Sequence, residues 1–152
     1  MIIGVIGAGN CSKEQYEEAY KIGKIIAERG AILVTGGLRG VMEASSHGAH
    51  DAGGIVIGIL PTARKEDANK YVKIPIITNA GHMRNIIIAN TADSLIALYG
   101  SYGTLSEIAI ALKIGKIVIG YNTWGIKGML KADTPEEAVE LALTHKEESM
   151  IT

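Results

Sequence analysis

The sequence predicts an α/β fold, a single doubly wound domain over residues 1–152 with a mostly parallel sheet and helices on both faces. Three observations predict it. Short apolar runs alternate with helical segments along the whole chain. The runs are continuously apolar, as strands covered on both faces require. The glycines, 19 in all, cluster where an apolar run hands over to a helix.

Each element has its own signal. Ile2–Ile6 is a continuous apolar run, and Gly7–Ser12 is the turn after it. Ser12 is placed to cap a helix, with Gln15 completing a capping box. Tyr16, Ala19, Tyr20, Ile22, Ile26 and Ala27 form the apolar face of that helix, and Gly30 stops it. Ile32–Thr35 is a second strand, Gly36–Gly40 a second turn, and Val41–Ala52 a helix ended by Gly53 and Gly54. Ile55–Leu60 is a third strand, closed by Pro61. Thr62–Lys73 is the most polar stretch, a loop or ragged short helix. Ile74–Ile77 carries Pro75 and suits a sheet edge. A helix over His82–Ala92, a strand over Ser94–Tyr99, a turn over Gly100–Gly103 and a helix over Thr104–Ile114 follow. Ile117–Tyr121 is the last expected strand. Thr134, Pro135 and Glu137 open a helix running to about Glu147.

Composition narrows the function. The 47% hydrophobic content supports a real core, and the balance of 15 basic against 16 acidic residues gives a net charge of -1. That argues against a nucleic-acid binder, which needs a cationic surplus. There is no Phe, so no aromatic platform for single strands is evident. Cys11 is the only cysteine, which excludes an internal disulfide and a Cys-based zinc site and suits a cytoplasmic, reducing compartment. No segment is long enough to span a membrane, and Met1–Gly7 lacks the basic flank of a signal peptide.

The strand–helix turns are the candidate ligand site, because doubly wound sheets bind beyond the carboxyl ends of their strands. The first turn, with Gly7 and Gly9, has Ser12 where a dinucleotide fingerprint needs Gly or Ala. The second strand ends in Thr35 and not in an acid, so NAD is disfavoured, and no Walker A loop is present. The first turn serves equally as a tight connection or a ligand contact. Gly36, Gly37, Arg39 and Gly40 make the second turn, and Gly100, Ser101, Tyr102, Gly103 and Thr104 make another. Backbone amides at such helix starts form an anion cradle. Arg39 and Arg84 supply cations, so a phosphate site is expected.

Gly36–Ala44, Met83-Arg84-Asn85 and Gly100–Glu107 resemble the paired motifs of a superfamily. It contains the LONELY GUY-type cytokinin-nucleotide phosphoribohydrolases, often misnamed lysine decarboxylases, and the molybdenum-cofactor carrier proteins. The resemblance runs from about Ile2 to Ile119 and implies a Rossmann-like fold and homo-dimers or homo-tetramers. The hydrolase branch opens this motif Pro-Gly-Gly-x-Gly-Thr and follows it with two adjacent glutamates. Here Tyr99 stands for the Pro, Ser101 for the second Gly and Ser106 for the first glutamate, leaving Glu107 alone. The strings Gly81–Asn85 and Thr104–Ala109 are closer to the carrier branch.

The resemblance implies a binding or carrier protein for a phosphorylated ligand, a nucleotide or the molybdenum cofactor, with no resident cofactor required. The alternative is hydrolysis of the N-glycosidic bond of a nucleoside 5'-monophosphate. Arg84 and Glu107 would then be catalytic, Arg84 clamping phosphate or base and Glu107 stabilising the charge that builds on the ribose. The same two residues would also serve as an ion pair tying two helix starts together. Glu43 could supply a second carboxylate if it faced the same cleft. Lysine decarboxylation would need pyridoxal phosphate and a much larger chain. His47, His50 and Asp51 share a helix face but lack further ligands, so a polar face is expected there and no metal. Tyr102 is the aromatic expected over a ligand ring, and Trp124 is expected to cover a sheet end or an interface.

Overall fold

The computed structural model describes residues 1–144. Seven strands make one fully parallel sheet: β1 Ile2–Gly7, β2 Ile32–Thr35, β3 Val56–Leu60, β4 Ile74–Ile77, β5 Ser94–Leu98, β6 Ile117–Tyr121 and β7 Leu130–Lys131. Their order is β4-β3-β2-β1-β5-β6-β7. Ile3 of β1 lies between Leu33 of β2 and Ser94 of β5, which fixes the register of the centre. The five helices are α1 Lys13–Glu28, α2 Val41–Asp51, α3 Arg84–Thr91, α4 Tyr102–Lys113 and α5 Pro135–Thr144.

Two cores sandwich the sheet. Ala19, Ile22 and Ile26 of α1, Val41 and Ala44 of α2 and Val139 of α5 pack on one face. Ile88 of α3 and Ile108 of α4 pack on the other. The strands β1, β2, β3, β5 and β6 bury side chains on both faces, which is why their sequences are apolar without alternation, whereas the edge strand β4 leaves Ile74, Ile76 and Ile77 exposed. The helices α1 and α2 touch backbone to backbone. A Cβ on Gly23 would strike the Ser45 carbonyl, and one on Gly48 would strike that of Tyr20.

The expected caps are present. Gln15 N–H donates to Ser12 Oγ at 3.2 Å and Ser12 N–H to Gln15 Oε1 at 3.0 Å. Glu137 N–H donates to Thr134 Oγ1 at 3.1 Å.

Several expected boundaries change. The expected helix at His82–Ala92 is a 3-10 turn, Gly81–Met83, running into α3. The start of α4 is Tyr102 and not Thr104, so the glycine turn contributes its second half to the helix's first turn. The strand expected to reach Tyr99 stops at Leu98, because Tyr99 turns left-handed, with φ 49°. The polar stretch 62–73 holds a 3-10 turn at Lys65–Asp67. The two-residue strand β7 was too short to carry a pattern. The expected extension of α5 to Glu147 lies outside the described residues.

The strand order reverses between β1 and β5. Strand β1 leads into α1 on one face and β5 into α4 on the other. A crevice opens beyond the carboxyl ends of that pair, the place where such sheets take ligands.

Candidate functional site

The site is built around Arg84, the first residue of α3. Its side chain is only 8% exposed and crosses the carboxyl edge of the sheet. Nη2 donates to the Gly36 carbonyl at 3.4 Å and lies 4.0 Å from Met42 Sδ. Nη1 donates to Asn85 Oδ1. A Cβ on Gly36 would sit 2.6 Å from Arg84 Nη2 and 2.7 Å from Met42 Sδ, so a larger residue there would displace the guanidinium or the thioether. The first residue of the second turn is therefore shaped to the guanidinium.

A polar relay continues from Arg84 to α4. Asn85 Nδ2 donates to Ser106 Oγ at 3.3 Å, and Ser106 Oγ donates to the Gly103 carbonyl at 2.7 Å. The two helix starts are thus fastened by Asn85 and Ser106. Arg84 and Glu107 form no ion pair within 4.0 Å among the described residues.

Glu107 is 7% exposed. Desolvation pushes its pKa up to about 7, against the lowering pull of the Arg84 charge. Burial likewise lowers the Arg84 pKa, which Glu107 partly offsets. Each group is the other's nearby counter-charge without sharing a hydrogen bond.

The start of α4 has the form of an anion cradle. The first helical bond runs from Leu105 N–H to the Ser101 carbonyl, and no side chain caps the helix. The amides of Tyr102, Gly103 and Thr104 precede that bond. Open space surrounds the Gly103 Cα, whereas Gly100, with φ 119°, is pressed against the Thr104 side chain. Thr104 is 2% exposed, and its hydroxyl has no hydrogen-bond partner among the described residues. Arg84 Nε is also buried without one. Leaving such groups unpaired costs about 1–3 kcal/mol each.

The first turn contributes through packing. Val41 N–H donates to the Ala8 carbonyl at 3.0 Å, and Gly40, with φ 65°, comes too close to Ala8 and Gly9 to carry a Cβ. Gly7 is wedged between Val41 and the Leu98 carbonyl, while Gly9 is open. Gly37, with φ 77°, packs on Leu60. Arg39 is exposed and makes no hydrogen bond or ion pair among the described residues. The fold therefore brings Gly36, Arg84, Glu107 and Gly100–Thr104 to one edge, with Gly7, Gly37 and Gly40 as spacers.

Burial and the nearby Glu43 charge raise the pKa of Cys11 and Tyr16, and Glu43 makes no hydrogen bond or ion pair with Glu107 or Arg84 among the described residues. Tyr102 is 87% exposed at the helix tip. Trp124 lies at a sheet end, beyond β6, and lines a cavity of about 300 Å³ with Tyr99, Gly100, Asn122 and Thr123, directly beside the cradle. His47 stacks on Tyr71 with ring centroids 4.2 Å apart, accepts or donates at Tyr16 Oη and pairs with Asp51 at 3.3 Å. His82 is exposed in its 3-10 turn. Asn85 and Met42 belong to the resembling motifs, but their contacts with Arg84 are not legible in the sequence. The signal for Asn85 was its place next to Arg84 at a helix start.

Comparison with known proteins agrees with this architecture. The family model described as the SLOG cluster4 family matches residues 1–151. An uncharacterized protein of Archaeoglobus fulgidus is 52% identical over 95% of both chains. The rice cytokinin riboside 5'-monophosphate phosphoribohydrolase LOG is 38% identical over 67% of this chain, but the match spans only 44% of the rice protein. The molybdenum cofactor binding protein of Rippkaea orientalis superposes with a TM-score of 0.88 at 38% identity, covering 92% of this chain and 93% of its own. The molybdenum cofactor carrier protein of Chlamydomonas reinhardtii gives 0.86 at 34% identity, over 95% and 98%. DNA processing protein A of Streptococcus pneumoniae, at 19% identity, shares the fold alone. The chain belongs to the SLOG cluster4 family, in the superfamily of the LOG phosphoribohydrolases and the molybdenum-cofactor carrier proteins.

Proposed function

We propose that this protein binds and carries a phosphorylated small molecule, a nucleotide or the molybdenum cofactor, at the carboxyl edge between β1 and β5. One observation carries the reading. Arg84 Nε and Thr104 Oγ1 are buried donors without partners, and both belong to helix starts at this edge. A phosphate resting on the amides of Tyr102, Gly103 and Thr104 would meet a helix dipole and a nearby guanidinium. Ser101 and Gly100 shape the entry, and Arg39 offers a further cation from the second turn. The cargo named for the Rippkaea and Chlamydomonas proteins supports the cofactor as one candidate.

The second reading is hydrolysis of a nucleoside 5'-monophosphate, and the Glu107 environment favours it. A carboxyl with a pKa of about 7 exchanges protons near neutral pH. Water would add at the anomeric carbon while the base leaves with a proton, and Glu107 would stabilise the positive sugar. A second acid or base is needed for the water or the leaving base. Ser106 cannot serve, because it is tied between Asn85 and Gly103. Carrying is therefore preferred to turnover. No step here needs a metal or a resident cofactor, and the single cysteine suits the cytoplasm. No helix among the described residues is long and apolar enough to cross a membrane.

We also propose a homo-dimer or homo-tetramer. Met83, Ile86 and Ile87 are exposed on or beside α3, and Ile114 follows α4. Exposed apolar side chains concentrated on one small domain suit an association surface. Sedimentation at micromolar concentration should show a species of twice the 16.1 kDa chain mass or more. A 16.1 kDa species alone would contradict the assembly.

Turnover separates the two functional readings. AMP incubated with the protein should bind and release little free adenine. Loss of one transition-state carboxylate costs about a hundred- to a thousand-fold in rate. Ser106→Glu should raise any release of adenine, and adding Glu107→Ala should abolish it. Adenine release by the wild type at about 10 per second would overturn the carrier reading.

Glu107 also makes stability depend on pH. Its folded pKa is raised from 4.5 to about 7, so the native state holds the proton more tightly than the unfolded chain does. Stability is then fullest below the unfolded pKa and falls as pH rises through about 7. Chemical denaturation should show the wild type losing about 3 kcal/mol relative to Glu107→Gln between pH 4.5 and 8. Parallel pH profiles of the two proteins would show that Glu107 is not buried as a proton-holding acid.

A further inference from the structure

We infer that the groove at Asn122–Trp124 receives the planar nitrogen heterocycle of the phosphorylated ligand, stacked on the Trp124 indole and read along its edge by the Asn122 amide. The inference rests on the phosphate-binding reading above and adds a second half to that site.

The groove lies where the ligand must extend. The cavity of about 300 Å³ is bounded by Tyr99 and Gly100 on one side and by Asn122, Thr123 and Trp124 on the other. Gly100 opens the turn that ends in the amides of α4, so a phosphate on those amides has its remainder directed along this cavity or away from the protein. A second cavity of about 370 Å³ shares Asn122, Thr123 and Trp124 and has Ile126, Met129 and Leu130 as apolar walls. Both volumes lie within the span of small-molecule sites, about 300–1,000 Å³.

The backbone that forms the groove is strained in a paired way. Tyr99 and Asn122 sit one residue beyond the ends of the neighbouring strands β5 and β6, and both are left-handed, with φ 49° and 48°. For a tyrosine that conformation is unfavourable. It is held by Tyr99 N–H donating to the Asn122 carbonyl at 3.1 Å, and by the Thr123 hydroxyl donating to the Tyr99 carbonyl. These bonds turn both chains outward together. Without that turn the strands would continue and the groove would close.

The side chains have the right chemistry for a ring. Trp124 is 36% exposed and belongs to neither core cluster, so it is not committed to packing the sheet. The Asn122 amide is exposed and makes no hydrogen bond among the described residues. It offers a donor and an acceptor together, which match adjacent acceptor and donor groups on a purine or pterin edge. Indole faces take flat heterocycles by stacking. Tyr102, at the outer tip of α4, lines neither cavity.

Trp124 is the only tryptophan, so its fluorescence reports on this groove alone. The intact protein is titrated with AMP, GMP and ribose 5-phosphate, following indole emission and affinity by calorimetry. AMP or GMP should quench the emission and bind about ten- to a hundred-fold tighter than ribose 5-phosphate. Trp124→Ala should erase that advantage and leave ribose 5-phosphate affinity unchanged, while Trp124→Phe should keep most of it. Which nucleotide gains more identifies the ring edge that Asn122 reads. Equal binding of all three compounds with unchanged emission would overturn the inference and leave the phosphate reading standing. A Trp124→Ala protein that changes only its sedimentation would overturn it too, assigning the indole to a subunit interface. Failure of all three compounds to bind would bring down the phosphate reading and this inference together.

Discussion

The arrangement depends on one buried guanidinium. Arg84 is taken out of water at the top of the sheet, where its charge is compensated by a nearby Glu107 and by neutral acceptors on Gly36 and Asn85. Burying a cation without a direct ionic partner is costly. The fold meets that cost by clearing space at Gly36, placing the Met42 sulfur beside the guanidinium and tying Asn85 to Ser106. These contacts join α2, α3 and α4, which otherwise lie on different faces or at different positions along the sheet. An anion at the start of α4 would complete the charge balance.

Ser106 gives the relay a second meaning. In this chain its hydroxyl links Asn85 to the Gly103 carbonyl and so holds the cradle in shape. A glutamate at the same position would exchange that link for a second carboxylate. The LOG match covers only part of each protein, while the carrier structures superpose over nearly the whole chain. The Ser106 hydroxyl is committed to that link and cannot act as the second carboxylate of the hydrolase motif.

The fold was legible because the strands are short, continuously apolar and bounded by glycine. The caps of α1 and α5 were equally plain, since Ser12 with Gln15 and Thr134 with Glu137 are local interactions. What escaped was non-local. The burial of Arg84 depends on three elements far apart in sequence. The charge of Glu43 is felt at Cys11 and Tyr16, a placement that depends on backbone contact between α1 and α2 at Gly23 and Gly48. Trp124 follows a strand end whose left-handed turn at Asn122 carries no glycine to announce it. Tyr102 stands at the first position of α4 with its ring exposed, a placement set by where the helix starts.

In the proposed function Arg84 and the start of α4 grip one anion together. Nuclear magnetic resonance of the protein titrated with AMP tests this most directly, through the Arg84 Nε–H signal and the amides of Gly103 and Thr104. All three should move along one binding curve, with the Arg84 Nε–H signal shifting as it gains an oxygen acceptor. Binding of AMP that leaves the Arg84 Nε–H and the Gly103 and Thr104 amides unmoved would contradict it.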